Sequence, residues 1–142
     1  MARPRLLVAE DHREMRAIIV RILERDFEVV GTVDDGPALL EAEPRLKPDI
    51  CVVNIAMPVL SGIEAAIRLR RRGSITKIIF LTAHSQAVFL EAALDAGAIG
   101  YVLKPRLLSD LRQAICEALA GRQFVSPSSS AAAFGARAGD SS

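Results

Sequence analysis

Residues 50–54 read Ile-Cys-Val-Val-Asn, an apolar run that ends in a single amide. Two further runs, at residues 6–9 and 78–81, are also continuously apolar. An unbroken apolar run of this length is typical of a strand that is buried on both faces, as in a parallel sheet covered by helices. Residues 29–33 and 101–103 add two more runs. The first of these is interrupted by a glycine and a threonine, which predicts a weaker strand near the edge of the sheet.

Between these runs the apolar residues follow a helical period. The clearest helical stripe consists of Met15, Ile18, Ile19, Ile22 and Leu23. Four more helices are predicted, at residues 37–43, 61–72, 85–96 and 108–119. A proline at residue 44 is expected to end the second helix, and Ser109 or Asp110 to cap the fifth. Five strand-helix units predict an open, doubly wound parallel sheet with right-handed crossovers, because a closed barrel needs about eight.

Composition and charge exclude several classes of protein. The 142 residues carry 18 Lys and Arg against 17 Asp and Glu, so nucleic-acid binding through bulk positive charge is excluded. The apolar runs are too short for a membrane span or a secretory signal, and we expect a cytoplasmic domain. Cys51 and Cys116 lie in apolar segments and are predicted to be buried thiols. Residues 1–125 are the predicted domain, and the Ser/Ala/Gly-rich residues 126–142 a linker or tail anchored by Phe134.

Polar side chains follow four of the predicted strands at the point where each strand ends. Glu10 and Asp11 follow the first strand, Asn54 the third, Thr82 the fourth and Lys104 the fifth. The carboxyl ends of parallel strands share one edge of the sheet, where open α/β sheets bind their ligands. Two carboxylates suit Mg²⁺, while a lysine and a hydroxyl suit phosphoryl oxygens. The set lacks a carboxylate that could accept a phosphoryl group, since its central residue is an amide.

Over residues 5 to about 123 the chain resembles the receiver domain of two-component response regulators. The motifs that carry the resemblance are Glu10-Asp11, Asn54-Ile55-Ala56-Met57-Pro58 with Ser61-Gly62, Thr82-Ala83, and Tyr101 three residues before Lys104-Pro105. Residues 120–127 resemble the exit of receivers that precede a helix-turn-helix DNA-binding domain of the NarL/LuxR type. The resemblance implies a flavodoxin-like (CheY-like) fold, with a five-stranded sheet of order 2-1-3-4-5.

The resemblance also implies the roles of individual residues. It puts the phosphoacceptor position at Asn54, and the switch and phosphoryl-contact positions at Thr82, Ala83, Tyr101, Lys104 and Pro105. The metal positions that it implies are Glu10, Asp11, Asn54 and Ala56, for a Mg²⁺ ion whose binding is weak or absent because an amide replaces a charged ligand. The implied partners are a sensor histidine kinase or another signalling protein, and a DNA-binding domain outside these residues. A weak homodimer is expected, with no membrane contact and no direct nucleic-acid binding by this domain.

Asn54 leaves two explanations open. In the family an aspartate at this position attacks the phosphoryl group, and an amide has no anionic oxygen for that attack. The chain is either an atypical receiver that signals without aspartyl phosphorylation, or an Asp→Asn variant trapped in the unphosphorylated state. Without a phosphoryl group to draw them inward, Thr82 is expected to stay away from Asn54, and Tyr101 to lie outward or to be mobile.

The alternative to a signalling domain is a small phosphoryl-handling enzyme on a similar fold. A haloacid-dehalogenase-like phosphatase needs an aspartate nucleophile at a strand end, usually with a second aspartate two residues later. Asn54 and Ala56 occupy those two positions here, so a non-enzymatic signalling domain is favoured. The fourth helix carries more apolar residues than one buried face needs, among them Val88 and Phe89. We therefore expect the face formed by the fourth helix, fifth strand and fifth helix to mediate any self-association.

Overall fold

The computed structural model describes residues 3–127, which alternate between strands and helices. The strands are β1 (Arg5–Ala9), β2 (Glu28–Val33), β3 (Ile50–Asn54), β4 (Lys77–Thr82), β5 (Gly100–Leu103) and β6 (Phe124–Val125). The helices are α1 (Arg13–Leu23), α2 (Gly36–Leu46), α3 (Gly62–Arg71), α4 (Ala87–Asp95) and α5 (Leu107–Leu119), with a 3₁₀ turn at Lys104–Arg106. The predicted anchor Phe134 lies outside the described residues.

All six strands are parallel and form one sheet of order β2-β1-β3-β4-β5-β6. The predicted doubly wound, flavodoxin-like fold and its order 2-1-3-4-5 are therefore confirmed, as is the position of β2 at an edge. Alternate strand residues face opposite helical layers: Leu7 and Val53 pack against α2, α3 and α4, whereas Leu6 and Val52 pack against α1 and α5. None of the helices within residues 3–127 is long and apolar enough to cross a bilayer.

The second helix does not end where the sequence predicted. Pro44 lies inside α2, which continues to Leu46, so the boundary predicted at residue 43 was wrong. A proline inside a helix cannot donate to the carbonyl four residues earlier, here that of Leu40. Nη1 of Arg72, at the end of α3, donates to that oxygen at 2.8 Å instead. A side chain from the neighbouring helix therefore satisfies the acceptor that the proline leaves open.

Two predictions about α5 were also wrong. The helix begins at Leu107, directly after the 3₁₀ turn, so neither Ser109 nor Asp110 is its cap, and Asp110 is buried inside its first turns. Cys116 is exposed, because it falls off the face that packs on the sheet, whereas Cys51 is buried as predicted. Burial raises the pKa of the Cys51 thiol to about 12, which keeps it protonated and unreactive at neutral pH.

The sixth strand was not predicted. After α5 the chain turns at Gly121, where φ is +79°, and returns along the edge of β5. Phe124 and Val125 pair in parallel with Gly100 and Tyr101. Ser126, which opens the predicted linker, is 1% exposed and is thus packed into the body of the fold.

Candidate functional site

The amide of Asn54 lies at the centre of an acidic cluster. β1 and β3 are neighbours, so Glu10 and Asp11, which follow β1, meet Asn54 at the end of β3. Nδ2 of Asn54 donates to Oε2 of Glu10 at 3.1 Å, to Oδ1 of Asp11 at 2.8 Å and to the carbonyl oxygen of Ala56 at 2.8 Å. Two amide hydrogens are thus shared among three acceptors. The opposite amide orientation would set an oxygen against the same three oxygens, which explains why the nitrogen points inward.

Glu10 is fully buried and receives its other contacts from two sides. Its Oε2 accepts a hydrogen bond from the backbone N–H of His12 at 3.1 Å. Its Oε1 lies 3.1 Å from Nζ of Lys104, which follows β5. The imidazole of His12 is largely exposed, with Nδ1 3.7 Å from carboxylate oxygens of both Glu10 and Asp11. The buried carboxylate is therefore flanked by an amide on one oxygen and by an ammonium on the other.

Asp11 lies at the more exposed side of the cluster. Burial acts to raise the pKa of its carboxyl, but hydrogen bonds, including those from its own backbone N–H and from Asn54, outweigh burial. The pKa of Asp11 therefore lies below its usual value, and the carboxylate stays charged at neutral pH. Asn54 thus stabilises the ionised form of a neighbour that would repel an aspartate in its place.

The cluster has suitable oxygens for Mg²⁺, and the Asn54 amide already uses two of them. One ligand atom each from Glu10, Asp11 and His12 can be found within 4.8 Å of one another. Mg²⁺ needs oxygen ligands at about 2.1 Å. The hydrogens of Asn54 point at the carboxylate oxygens such an ion would use. The amide occupies one oxygen of each carboxylate, so an ion would bind through the remaining oxygens, or through these two once the amide turns over.

Comparison with known proteins identifies the fold family. The family described as "Response regulator receiver domain" matches residues 6–116. This chain belongs to the response regulator receiver family. The uncharacterized transcriptional regulatory protein YvfU of Bacillus subtilis is 38% identical over 125 residues, which cover 87% of this receiver and 62% of YvfU. The transcriptional regulatory protein PdtaR of Mycobacterium tuberculosis is 39% identical over 112 residues, covering 78% of this receiver and 54% of PdtaR.

Solved structures agree with this assignment. A two-component response regulator of the LuxR family from Aurantimonas sp. SI85-9A1 matches with a TM-score of 0.85 and 33% identity, over 89% of this receiver and 91% of that chain. The signal receiver domain of the putative response regulator NarL from Mycobacterium tuberculosis matches with a TM-score of 0.82 and 30% identity, over 86% and 100% of the two chains. The receiver is therefore of the predicted NarL/LuxR type. It spans about half to three fifths of the length of the curated relatives it matches.

The side chain of Tyr101, at the position where the sequence predicted an aromatic switch residue, points into the fold. Tyr101 is 1% exposed, and its hydroxyl donates to the backbone carbonyl of His84 at 2.8 Å. The prediction that Tyr101 lies outward was therefore wrong. Burial raises the pKa of Tyr101 to about 12, against a smaller opposing effect of Thr82. The carbonyl of His84 gives the hydroxyl a partner inside the fold, so Tyr101 needs no water.

Thr82 and the β4–α4 loop complete this arrangement. The Thr82 hydroxyl is buried and accepts a hydrogen bond from the backbone N–H of His84 at 3.0 Å. Within residues 3–127 it makes no hydrogen bond to Asn54, whose amide donates to Glu10, Asp11 and Ala56 instead. The imidazole of His84 stacks on Phe89, with ring centroids 4.2 Å apart. The loop is thus held by Thr82, Tyr101 and Phe89 together.

Of the three remaining predicted positions, one contacts the cluster directly. Ala56 contributes its carbonyl oxygen, whereas Ala83 and Pro105 are exposed. The sequence predicted a loop role for His84 beside the pocket, but not the backbone hydrogen bonds that it makes with Thr82 and Tyr101, because backbone groups leave no signal in the pattern of side chains. The sequence also contains no indication that Ser126 contacts Leu103 of β5 and Asp110 of α5.

Proposed function

We propose that this chain is a receiver domain that reaches its signalling conformation without aspartyl phosphorylation. The observation that carries the proposal is the hydrogen bonding of Asn54. An aspartate there would place a third carboxylate beside Glu10 and Asp11 and would need a cation between them. The Asn54 amide donates to both carboxylates directly. The acidic cluster is therefore stable without metal, and it lacks the nucleophile for phosphoryl transfer.

The inward position of Tyr101 supports the atypical receiver over the trapped variant. A domain locked in the unphosphorylated state is expected to have its aromatic switch residue outward. Here the hydroxyl of Tyr101 is satisfied by His84 inside the fold while the acceptor position holds an amide. The energy that favours the inward position therefore comes from contacts of the β4–α4 loop. Mg²⁺ binding, in this proposal, is weak because the Asn54 amide competes with the ion for two carboxylate oxygens and supplies no negative charge.

The partners follow from the same proposal. The family consists of signalling receivers, which favours an interaction domain over a phosphatase. A sensor histidine kinase or another signalling protein can bind this receiver, but Asn54 accepts no phosphoryl group from it. The names of the relatives and the exit sequence at residues 120–127 support an attached DNA-binding domain as the output. The net charge of +1 argues against direct DNA binding by this chain, and the linker predicted at residues 126–142 begins, in this proposal, only after Ser126, which is packed into the domain.

Incubation with acetyl phosphate and Mg²⁺ tests the proposal, with intact mass as the readout. The parent chain is expected to gain no phosphate, whereas Asn54→Asp restores the nucleophile and is expected to gain an adduct. Quenching of the fluorescence of Tyr101, the one tyrosine in a chain without tryptophan, reports its position in the same samples. We expect Tyr101 of the parent to be protected with and without the phosphodonor. A stoichiometric adduct on the parent, or an accessible Tyr101, would refute the proposal.

A further inference from the structure

The segment after α5 is fastened to the sheet by backbone and side-chain hydrogen bonds. The N–H of Phe124 donates to the carbonyl of Ile99 at 3.0 Å, and the N–H of Ser126 donates to the carbonyl of Tyr101 at 2.8 Å. The hydroxyl of Ser126 accepts a hydrogen bond from the N–H of Leu103 at 3.1 Å. Ser126 therefore contacts β5 through both its backbone and its side chain.

The same hydroxyl joins this segment to a buried carboxylate on α5. Oγ of Ser126 donates to Oδ2 of Asp110 at 2.6 Å. Oδ2 also accepts from Nε of Arg106 at 2.8 Å, and Oδ1 accepts from Oγ of Ser109 at 3.0 Å. Asp110 and Ser126 are both less than 5% exposed. A hydrogen bond between a hydroxyl and an ionised, buried carboxylate is among the stronger ones in proteins. Ser126 is thus held between the end of β5 and the start of α5.

β5 connects this contact to the functional site. Tyr101, whose carbonyl binds the N–H of Ser126, sends its side chain to His84. Leu103, whose N–H binds the Ser126 hydroxyl, is followed directly by Lys104, the ammonium beside Glu10. The contacts of Ser126 therefore hold the short strand that carries both the aromatic switch residue and the site lysine.

We propose that Ser126 is a latch that couples docking of the linker to the inward position of Tyr101. When the latch is closed, the linker leaves the domain at a fixed point and β5 is held along its whole length. When it opens, Tyr101 and Leu103 lose hydrogen-bond partners, and the tyrosine side chain becomes free to leave His84. Coupling of two equilibria is reciprocal, so outward movement of Tyr101 weakens linker docking by the same factor. This coupling works without phosphorylation and holds whatever the chemistry at Asn54.

Ser126→Ala tests the latch, with Ser109→Ala as its matched control. Each change removes one hydroxyl that donates a hydrogen bond to Asp110, but only the hydroxyl of Ser126 also contacts β5. Hydrogen exchange at residues 122–127 measures docking, and acrylamide quenching of the lone tyrosine measures the position of Tyr101. For Ser126→Ala we expect about tenfold faster exchange, as for the loss of a hydrogen bond to a charged group, together with stronger quenching. Ser109→Ala is expected to leave both unchanged.

Each other outcome overturns part or all of the proposal. Unchanged exchange in Ser126→Ala would show that Ser126 is no latch. Faster exchange with unchanged quenching of Tyr101 would show a latch without coupling, and equal effects of Ser109→Ala would show that only the charge environment of Asp110 matters. Should Ser126→Ala fail to fold by circular dichroism, Asp110→Asn gives the same readouts. It keeps the shape of the carboxylate while it removes the charge, and is expected to raise exchange and quenching together.

Discussion

The ammonium of Lys104 lies 3.1 Å from Oε1 of Glu10, a carboxylate that no solvent reaches. Within residues 3–127 this oxygen has no aligned hydrogen-bond donor. The ion pair with Lys104 therefore offsets the free-energy cost of removing the oxygen from water. The other oxygen of Glu10 is satisfied by Asn54 and by the N–H of His12. Lys104 thus stabilises the receiver itself, in addition to any contact it makes with a ligand.

Replacing Lys104 with methionine is expected to lower the free energy of unfolding by about 3 kcal/mol, because it leaves a buried charge unpaired. Urea unfolding monitored by circular dichroism measures this change. Glu10→Gln provides the background for a double-mutant cycle, since without the carboxylate charge the same lysine substitution should cost much less. An equal cost in both backgrounds would contradict the assigned pairing.

The effect of Mg²⁺ on thermal stability is expected to differ between the parent and Asn54→Asp. Without Mg²⁺ the variant loses a donor to two carboxylates and gains a third negative charge, so it should unfold about 2 kcal/mol more easily. Added Mg²⁺ should restore stability to the variant in proportion to its binding, and should change the melting temperature of the parent little. NaCl at equal ionic strength controls for screening. A parent that is stabilised by Mg²⁺ as strongly as the variant would contradict the competition between ion and amide.

The phenol of Tyr101 is expected to titrate near pH 12, because burial raises its pKa to about 12 from 10.0. A raised pKa in the folded state gives stability that is complete below pH 10 and is lost as the pH rises through 12. Since Tyr101 is the one tyrosine, phenolate absorbance reports it without interference. Tyr101→Phe should remove the loss of stability over this range. Titration of the native chain near pH 10 would show that Tyr101 lies outward.

The contact between Arg72 and the carbonyl of Leu40 predicts a coupled pair of substitutions. Arg72→Ala should cost about 1 kcal/mol, because Pro44 cannot supply the missing donor. In a Pro44→Ala background the backbone N–H of residue 44 can donate to Leu40, so the same arginine substitution should cost little. Arg71→Ala, on the exposed side of α3, is the matched control. Equal costs in the two backgrounds, measured by urea unfolding, would rule out this compensation.

Self-association is expected to depend on Val88, whose side chain on α4 is 67% exposed. The predicted exposure of apolar groups on α4 is confirmed at this residue, whereas Phe89 is half-buried against His84. We expect a weak, concentration-dependent dimer in sedimentation that Val88→Asp abolishes without a loss of stability. Phe89→Ala should instead lower the free energy of unfolding, by about 2 kcal/mol. A dimer that persists in Val88→Asp would exclude this face as the interface.

The strands and the position of the site could be predicted because both depend on local patterns. Continuous apolar runs such as residues 50–53 identify strands buried on both faces, and the polar residues that follow them must gather at one edge. The meeting of Glu10, Asp11, Asn54 and Lys104 at that edge follows from chain order alone. No knowledge of side-chain packing was needed for these conclusions.

Apart from the exposure of Cys116, which follows from its position on α5, the errors concern groups whose partners lie far away in the sequence. The path of the helix through Pro44 depends on Arg72, and the burial of Tyr101 depends on a carbonyl of the β4–α4 loop. β6 has only two residues, and Ser126 stands at the start of a stretch whose composition is that of a linker. Its burial is decided by Asp110, a residue that looks like a helix cap in the sequence. The pattern of residue types along the chain does not show which distant residues will contact each other.

The contact between Asp110 and Ser126 also sets where this receiver can be joined to another protein. A chimera cut at the end of α5 would discard Ser126 and leave the Asp110 carboxylate without its hydroxyl partner, a loss of about 2 kcal/mol. A junction beyond Pro127 would keep the last strand and its serine. When this receiver is fused to a different output domain, residues 122–127 should therefore be kept as part of it. A new linker should begin only after these residues.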